Sequence, residues 1–331
     1  MKAILLTAAD PGVGLGHLYR CDALATALIE RGVDASLAVH CRNGVDWLEA
    51  RAPQSPWTMA QWTDKPHAFR RTIAQADRVI LDSYDIAPEV LRIIDRSVKV
   101  PIYFDDYGKN VPQRGMVING SPGAHLIGYP ERPGLLLLLG PDYQVLRKPF
   151  WQPTERTVSE RVISVGVILG GTDHRGLMER ILQVVRETVS ADTEIYAIGV
   201  EPQAMSRPGI QATGRLTAQE IKDLFDQLDL LVTAAGQTVA EAVSCCLPTV
   251  VIQTAENQEY NVQGWINKSC AVLGGWHRSS EFSDNLSSAL QKGLKYSSRN
   301  GMVHRMQACA LLASTGRVVD GITQLHHVTA P

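Results

Sequence analysis

The stretch KAILLTAADPGVGLGHLYRCDALATALIERG, residues 2–32, decides the fold. Residues 2–8 are a short apolar run of the kind shown by a strand buried on both faces. A glycine-rich turn follows, Gly12-Val13-Gly14-Leu15-Gly16-His17, and then Leu18, Cys21, Leu24, Ala25 and Leu28 recur at helical spacing up to Gly32, which suits the C′ position. Strand, glycine turn and helix together open an α/β fold. Glycines in such a turn let the backbone pass close to a ligand, and the helix N-terminus offers unpaired N–H groups to an anion. The turn is not a P-loop, because no Gly-Lys-Ser/Thr follows. Nor is it a dinucleotide fingerprint, because the third glycine of GxGxxG is missing.

Outward from this unit the rhythm continues. Strand-like runs at 34–39, 78–82, 100–104 and 116–119 alternate with helical stretches such as 88–96, which predicts a doubly wound parallel sheet. Periodicity lapses over 140–160, where three prolines fall, and resumes with the strand RVISVGVILGG from Arg161. A helix over about 175–189, a strand over 194–199, a capping box at Thr217 and Glu220, a strand over 229–233, a helix over 238–246 and a strand over 248–254 form a second α/β set. The stretch beyond Ser279 reads as helical. A chain of 331 residues favours two domains over one. The expected division is a first Rossmann-like domain over 1–145, a linker over 146–160 and a second over 161–331, with a last helix able to pack back on the first domain.

Composition narrows the partners. With 45% hydrophobic and 20% charged residues the chain reads as an ordinary globular protein, and its longest aliphatic run, Leu135 to Leu139, is far short of the ~18 apolar residues of a membrane span. A formal net charge of -2 with no block of Lys or Arg gives no footprint for nucleic acid or an acidic membrane, so the expected partner is a small molecule. The apolar N-terminus is short for a signal peptide and meets Asp10 and Pro11 at once, so it reads as a strand in a cytoplasmic protein. Six cysteines without a CxxC pair indicate neither zinc nor a disulfide framework, and read as reduced, buried thiols. No oligomeric state follows from the sequence.

Three loops carry the chemistry. In the first, His17 opens the helix and Arg20 follows one turn later, a polar pair at the carboxyl end of a strand, where open α/β sheets bind ligands. The positive end of the helix dipole disfavours an imidazolium at His17 and keeps the neutral form a general base needs. A lone histidine there would ordinarily cap or pack; the motif around it argues for chemistry. The second loop is Gly170-Gly171-Thr172-Asp173-His174. Its reading is open between a phosphate cradle at a helix start and a plain turn capped by Thr172 or Asp173. In the third, AAGQTVAEAVSCCLPTVVIQTAENQ over 234–258, Gly236, Gln237 and Thr238 open a helix, and Glu241 lies one turn in, where it can accept from a ribose diol or sit as a solvated first-turn carboxylate. Glu256, Asn257 and Gln258 follow the next strand and suit sugar hydroxyls, phosphate or an N-cap. The scattered histidines show no metal-ligand cluster, and Asp105-Asp106 reads as a strand-end turn rather than a cation site.

In this order the elements resemble the pseudaminic-acid-pathway UDP-sugar hydrolases (PseG-like), which are related to the spore-coat polysaccharide proteins and to MurG-like glycosyltransferases. The residues that carry the resemblance are GLGHLYRCDALA (14–25), LDSY (81–84), FDD (104–106), GPDYQVLRKPF (140–150), GGTD (170–173), AAGQTVAE (234–241) and AENQ (255–258). The resemblance implies a GT-B fold with a UDP-sugar in the cleft between two domains, no cofactor, and His17 as the catalytic group that activates water. It assigns substrate contacts to Gly14, Gly16, Arg20, Asp82, Tyr84, Glu256, Asn257 and Gln258. Nucleotide contacts fall to Gly171, Thr172, Gly236, Gln237, Thr238 and Glu241. One departure stands out: the Arg-x-Asp pair usual ahead of the glycine turn is replaced by Leu6 and Ala8. The activity so implied is hydrolysis of a UDP-linked amino-deoxy sugar in a nonulosonic-acid or surface-glycan pathway. The alternatives are a glycosyltransferase in which His17 or Asp82 deprotonates an acceptor hydroxyl, and a non-catalytic nucleotide-sugar binder.

Overall fold

The computed structural model describes the chain except residues 12, 13, 85, 153, 172, 174, 205, 206, 310 and 326–331. The chain divides into two units. Unit 1 is Met1–Lys148 with Ala313–Pro331, and unit 2 is Pro149–Leu312.

Unit 1 is built on seven strands: β1 (Lys2–Ala8), β2 (Asp34–His40), β3 (Trp57–Met59), β4 (Arg78–Asp82), β5 (Pro101–Phe104), β6 (Gly115–Asn119) and β7 (Leu135–Leu139). They form one sheet in the order β3-β2-β1-β4-β5-β6-β7, and every pairing is parallel. Six of the seven β1 residues are buried, as expected of a strand covered on both faces. Helix α1 (Gly16–Glu30) buries Leu18, Cys21, Leu24, Ala25 and Leu28 and ends at Gly32, whose positive φ of 76° lets Val33 N–H turn back to the Leu28 carbonyl. Helices α2 (Val45–Glu49), α3 (Pro66–Ile73) and α4 (Pro88–Ser97) complete the connections. The chain leaves β1 toward β2 on one side and later returns to β4 on the other, so the order reverses between β1 and β4. The carboxyl ends of these two strands are where an open α/β sheet holds ligands.

Unit 2 repeats the plan. Its strands β8 (Ser164–Ile168), β9 (Glu194–Ala197), β10 (Ile210–Ala212), β11 (Leu230–Ala234), β12 (Thr249–Gln253) and β13 (Val272–Trp276) form a parallel sheet ordered β10-β9-β8-β11-β12-β13. The reversal here lies between β8 and β11. The helices are α5 (Met178–Thr188), α6 (Ala218–Gln227), α7 (Gln237–Ser244), α8 (Glu259–Asn267), α9 (Phe282–Leu294) and α10 (Tyr296–Gln307). The Thr217–Glu220 capping box opens α6 as its spacing predicts.

The units divide between Lys148 and Pro149, inside the 146–160 stretch expected to link them. Arg156 donates to the carbonyls of Phe225, Leu228 and Cys245, which ties the proline-rich stretch into unit 2. Helix α11 (Ser314–Gln324) belongs to unit 1: the Leu146 amide donates to Thr315 Oγ1 at 2.9 Å, and Arg78 Nε donates to the Ile322 carbonyl at 3.0 Å. Among the described residues, no helix is long and apolar enough to cross a membrane.

Candidate active site

At the unit 1 reversal point, α1 and β4 bring His17, Arg20 and Asp82 together. His17 is the second residue of α1, and Asp82 is the last residue of β4, paired in register with Thr7 of β1. Imidazole Nδ1 lies 2.7 Å from Asp82 Oδ1. Arg20, one turn further along α1, donates from Nε to Asp82 Oδ2 and from one terminal nitrogen to Oδ1, both at 2.7 Å. The same guanidinium reaches Asp106 through two further bonds of 2.9 and 3.0 Å. Tyr84 Oη donates to Asp106 Oδ2 at 2.8 Å, and its ring meets the imidazole edge-on at 4.1 Å. Phe104 lies under the guanidinium at 4.6 Å.

The electrostatics of this cluster set the proton positions. Burial opposes ionisation of Asp82, which is 1% exposed, but the Arg20 guanidinium and His17 outweigh it and hold the carboxyl well below the usual range. Asp106 is held low in the same way, burial being outweighed by Arg20. An ionised Asp82 can only accept, so Nδ1 of His17 carries a proton, and in the neutral imidazole it is Nε2 that presents a lone pair. Nε2 has no hydrogen-bond partner among the described residues. Two carboxylates against one guanidinium leave a negative charge beside the imidazole, which a proton arriving at Nε2 neutralises. Asp82 itself cannot take the acceptor proton envisaged for it, because it is buried with both oxygens occupied.

The loop beyond β5 is fixed by Asp105, which accepts the amides of Gly108, Lys109 and Asn110 and the Tyr129 hydroxyl. Asp105 is therefore the strand-end turn that the sequence suggests. Asp106 is not part of that turn but the outer anchor of Arg20, a role hidden by the 86 positions between them. No group of three or more His, Cys, Asp or Glu among the described residues is placed to hold a metal ion. Leu6 and Ala8, which replace the polar pair, are buried in β1, and Leu6 packs in a core with Trp62, Ile73 and Leu81. Strand β1 thus offers no charged group on this side.

At the unit 2 reversal point, two glycine loops follow β8 and β11. In the first, the amides that lead into α5 are already taken. Gly170 turns at a φ of 88°, Gly171 is exposed, and α5 begins only at Met178, with the amides of Leu177 and Met178 already accepted by the Asp173 carboxylate at 3.0 and 2.8 Å. Thr172 lies outside the described residues, as do His174 here and Gly12 and Val13 in the first loop. In the second loop the Gly236 amide donates to the Ala234 carbonyl at 2.8 Å. Gly236 precedes α7 in an extended conformation with no side-chain cap, Gly236, Gln237 and Thr238 are half-exposed, and Asn261 Nδ2 braces the turn by donating to the Ala235 carbonyl at 3.0 Å. A Cβ placed on Gly236, or on Gly16 of α1, would meet no atom within 4 Å, and neither residue has a positive φ. Neither glycine is demanded by its own backbone conformation or by packing around it. Gly14 differs, since its φ of 85° requires glycine whatever binds there.

Of the remaining expected contacts, Gln258 is committed elsewhere: its Oε1 accepts the amides of Thr254 and Ala255 and so holds its own turn. Glu256 is exposed and Asn257 half-buried. Glu241 is 1% exposed, so it is not the solvated carboxylate of a first turn.

No protein-family model matches the chain. Three curated proteins align with it at low identity. An uncharacterized protein of Methanocaldococcus jannaschii is 22% identical over 81% of this chain and 59% of its own length. The pseudaminic acid cytidylyltransferase and UDP-2,4-diacetamido-2,4,6-trideoxy-beta-L-altropyranose hydrolase of Helicobacter pylori is 22% identical over 74% of this chain and 43% of its own. The spore coat polysaccharide biosynthesis protein SpsG of Bacillus subtilis is 20% identical over 78% and 79%. The chain thus spans about half the length of the first two. Among solved structures, MurG of Acinetobacter baumannii superposes with a TM-score of 0.65 at 14% identity, covering 98% of this chain and 100% of that one. MnaA of S. aureus, solved with UDP, gives 0.65 at 12% over 97% and 96%. The chain has the GT-B glycosyltransferase fold and is a distant relative of the pseudaminic-acid-pathway UDP-sugar hydrolase and of the spore-coat polysaccharide protein.

Proposed function

We propose that this chain hydrolyses a UDP-linked amino-deoxy sugar to UDP and the free sugar, in the cytoplasm, for a nonulosonic-acid or surface-glycan pathway. The observation that carries this reading is the 2.7 Å contact between His17 Nδ1 and an Asp82 carboxylate kept ionised by Arg20. It makes Nε2 a general base, a role usually worth ~10²–10⁴-fold in rate. Water gives its proton to Nε2 as its oxygen bonds to the anomeric carbon. The bond from that carbon to the diphosphate oxygen breaks, and its electron pair leaves with UDP. Unit 2 supplies the nucleotide grip at the half-exposed start of α7, Gly236, Gln237 and Thr238, in keeping with the UDP held by a protein of the same fold. Arg20 and Asp106 position Asp82, and the half-buried Tyr84 lies against the imidazole where the sugar would meet it.

The test is incubation with a panel of UDP-sugars, with and without acceptor alcohols, followed by assay of UDP and free sugar. Free sugar released without an acceptor supports the proposal. Release of UDP only when an acceptor is present makes the chain a transferase using the same base, and binding without turnover makes it a binding protein. His17→Ala should abolish sugar release and leave UDP affinity unchanged; a matching loss of affinity would give His17 a structural role.

A further inference from the structure

Unit 2 holds a pair of thiols that the proposed reaction does not use. Cys270 lies between α8 and β13, fully buried, and Cys309 follows α10, partly exposed. They are 39 positions apart, so no spacing signals them, yet their sulfurs lie 3.4 Å from each other. That is a thiol–thiol contact, and closing it to a disulfide requires an approach of only ~1.4 Å to the usual 2.05 Å bond. The other four cysteines, Cys21, Cys41, Cys245 and Cys246, are all buried, and only Cys309 among the six opens to solvent.

We propose that Cys270 and Cys309 form an oxidisable dithiol that peroxide closes to an intrachain disulfide and small thiols reopen. The division of labour follows from exposure and charge. Cys309 is the sulfur an oxidant can reach. The hydrogen bond with Cys309, together with burial, pushes the Cys270 thiol up, which leaves the solvent-facing Cys309 as the sulfur placed to react first. The Cys309 thiolate attacks one peroxide oxygen, the O–O bond breaks, and the departing hydroxide takes up a proton as water, leaving a sulfenic acid on Cys309. The Cys270 sulfur then attacks that sulfenic sulfur, gives up its proton, and expels the hydroxyl as a second water. In balance, two thiols and one hydrogen peroxide give one disulfide and two waters. The bond ties the end of α10 to the segment that enters β13, the edge strand of the unit 2 sheet.

The experiment treats the full chain, natively folded, with hydrogen peroxide and then blocks residual thiols by alkylation before non-reducing peptide mapping. The expected result is a single cross-linked species joining the Cys270 and Cys309 peptides, with loss of two hydrogens, reversed by dithiothreitol. It should be absent in Cys309→Ser and in Cys270→Ser and retained in Cys41→Ser. A melting curve for each serine variant establishes that it is folded. In Cys270→Ser, Cys309 should instead accumulate as sulfenic acid, trapped by dimedone, a readout that does not depend on forming the bond. Over-oxidation of Cys309 to sulfinic acid without a cross-link in the unmodified chain, or a bridge from Cys309 to Cys246, would overturn the proposal.

Discussion

Replacing Asp82 with asparagine separates a working His–Asp pair from a merely packed one. Asp82 accepts three bonds of 2.7 Å, from His17 Nδ1 and one Arg20 terminal nitrogen on Oδ1 and from Arg20 Nε on Oδ2. Asparagine keeps one oxygen and sets an NH2 where the other stood, so a donor faces a donor in either orientation. With the amide oxygen toward Arg20 Nε, the NH2 confronts Nδ1, the imidazole must carry its proton on Nε2, and the base is lost. With the oxygen toward His17, the tautomer survives but Arg20 Nε is stranded and the carboxylate that steadies the imidazolium is gone. The rate should fall by the worth of a general base, ~10²–10⁴-fold, or about 3–5 kcal/mol of transition-state stabilisation. Removing one member of a buried ion pair costs about 3–5 kcal/mol of stability, and the lower end applies because Asp106 still pairs Arg20. At about 2–4 °C per kcal/mol, melting should drop by roughly 6–12 °C. Steady-state UDP release, calorimetric UDP affinity and a melting curve, all at one pH below the melting range, read the three effects apart. A kcat loss smaller than about tenfold in a folded Asp82→Asn protein would refute the assignment of Nε2 as the base.

Three further outcomes follow from the same geometry. Gly236→Ala should leave the melting temperature unchanged, because the added methyl meets no protein atom within 4 Å, while weakening UDP binding; unaltered affinity in a titration would remove the start of α7 from the nucleotide site. Glu241→Ala should weaken UDP binding by ~1–3 kcal/mol if the ribose engages the carboxylate, and an unchanged dissociation constant would show that its burial is purely structural. The depressed carboxyl of Asp106 contributes stability that is complete above its unfolded value near ~3.9 and is lost as pH falls through the lower folded value. The melting gap between the unmodified chain and Asp106→Asn should therefore be widest above about pH 5 and shrink below about pH 4, whereas a gap constant down to acid would mean that Arg20 does not hold Asp106 ionised.

Much of this architecture is legible in the sequence because buried parallel strands write themselves as apolar runs, and β1, β4 and β6 do so plainly. The short strands β3, β10 and β13 do not. The first two are three residues long and lie at sheet edges, and β13 carries Gly274 and Gly275, so neither length nor apolar content marks them. The Leu135–Leu139 run, notable in sequence only for being too short to span a membrane, is the opposite edge strand, β7. At the site, the glycine turn and His17 are visible because they are contiguous. The Asp106–Arg20–Asp82 chain of ion pairs is not, because it joins α1 to the ends of β4 and β5 across dozens of positions. Polar residues at helix starts were the ambiguous class. Asp173 and Gln258 spend their side chains on their own backbone, whereas Gly236 leaves the α7 start without a side-chain cap, and only three-dimensional hydrogen bonding distinguishes the two uses.

Oxygen isotope tracing tests the central claim most directly. With a turned-over UDP-sugar in ¹⁸O-water, a base at His17 acting on water at the anomeric carbon places the label in the freed sugar at its anomeric oxygen and leaves UDP unlabelled. Label in the nucleotide's phosphate would mean attack at phosphorus, and an unlabelled sugar appearing only in acceptor linkage would mean that water is not the nucleophile; either would contradict the account.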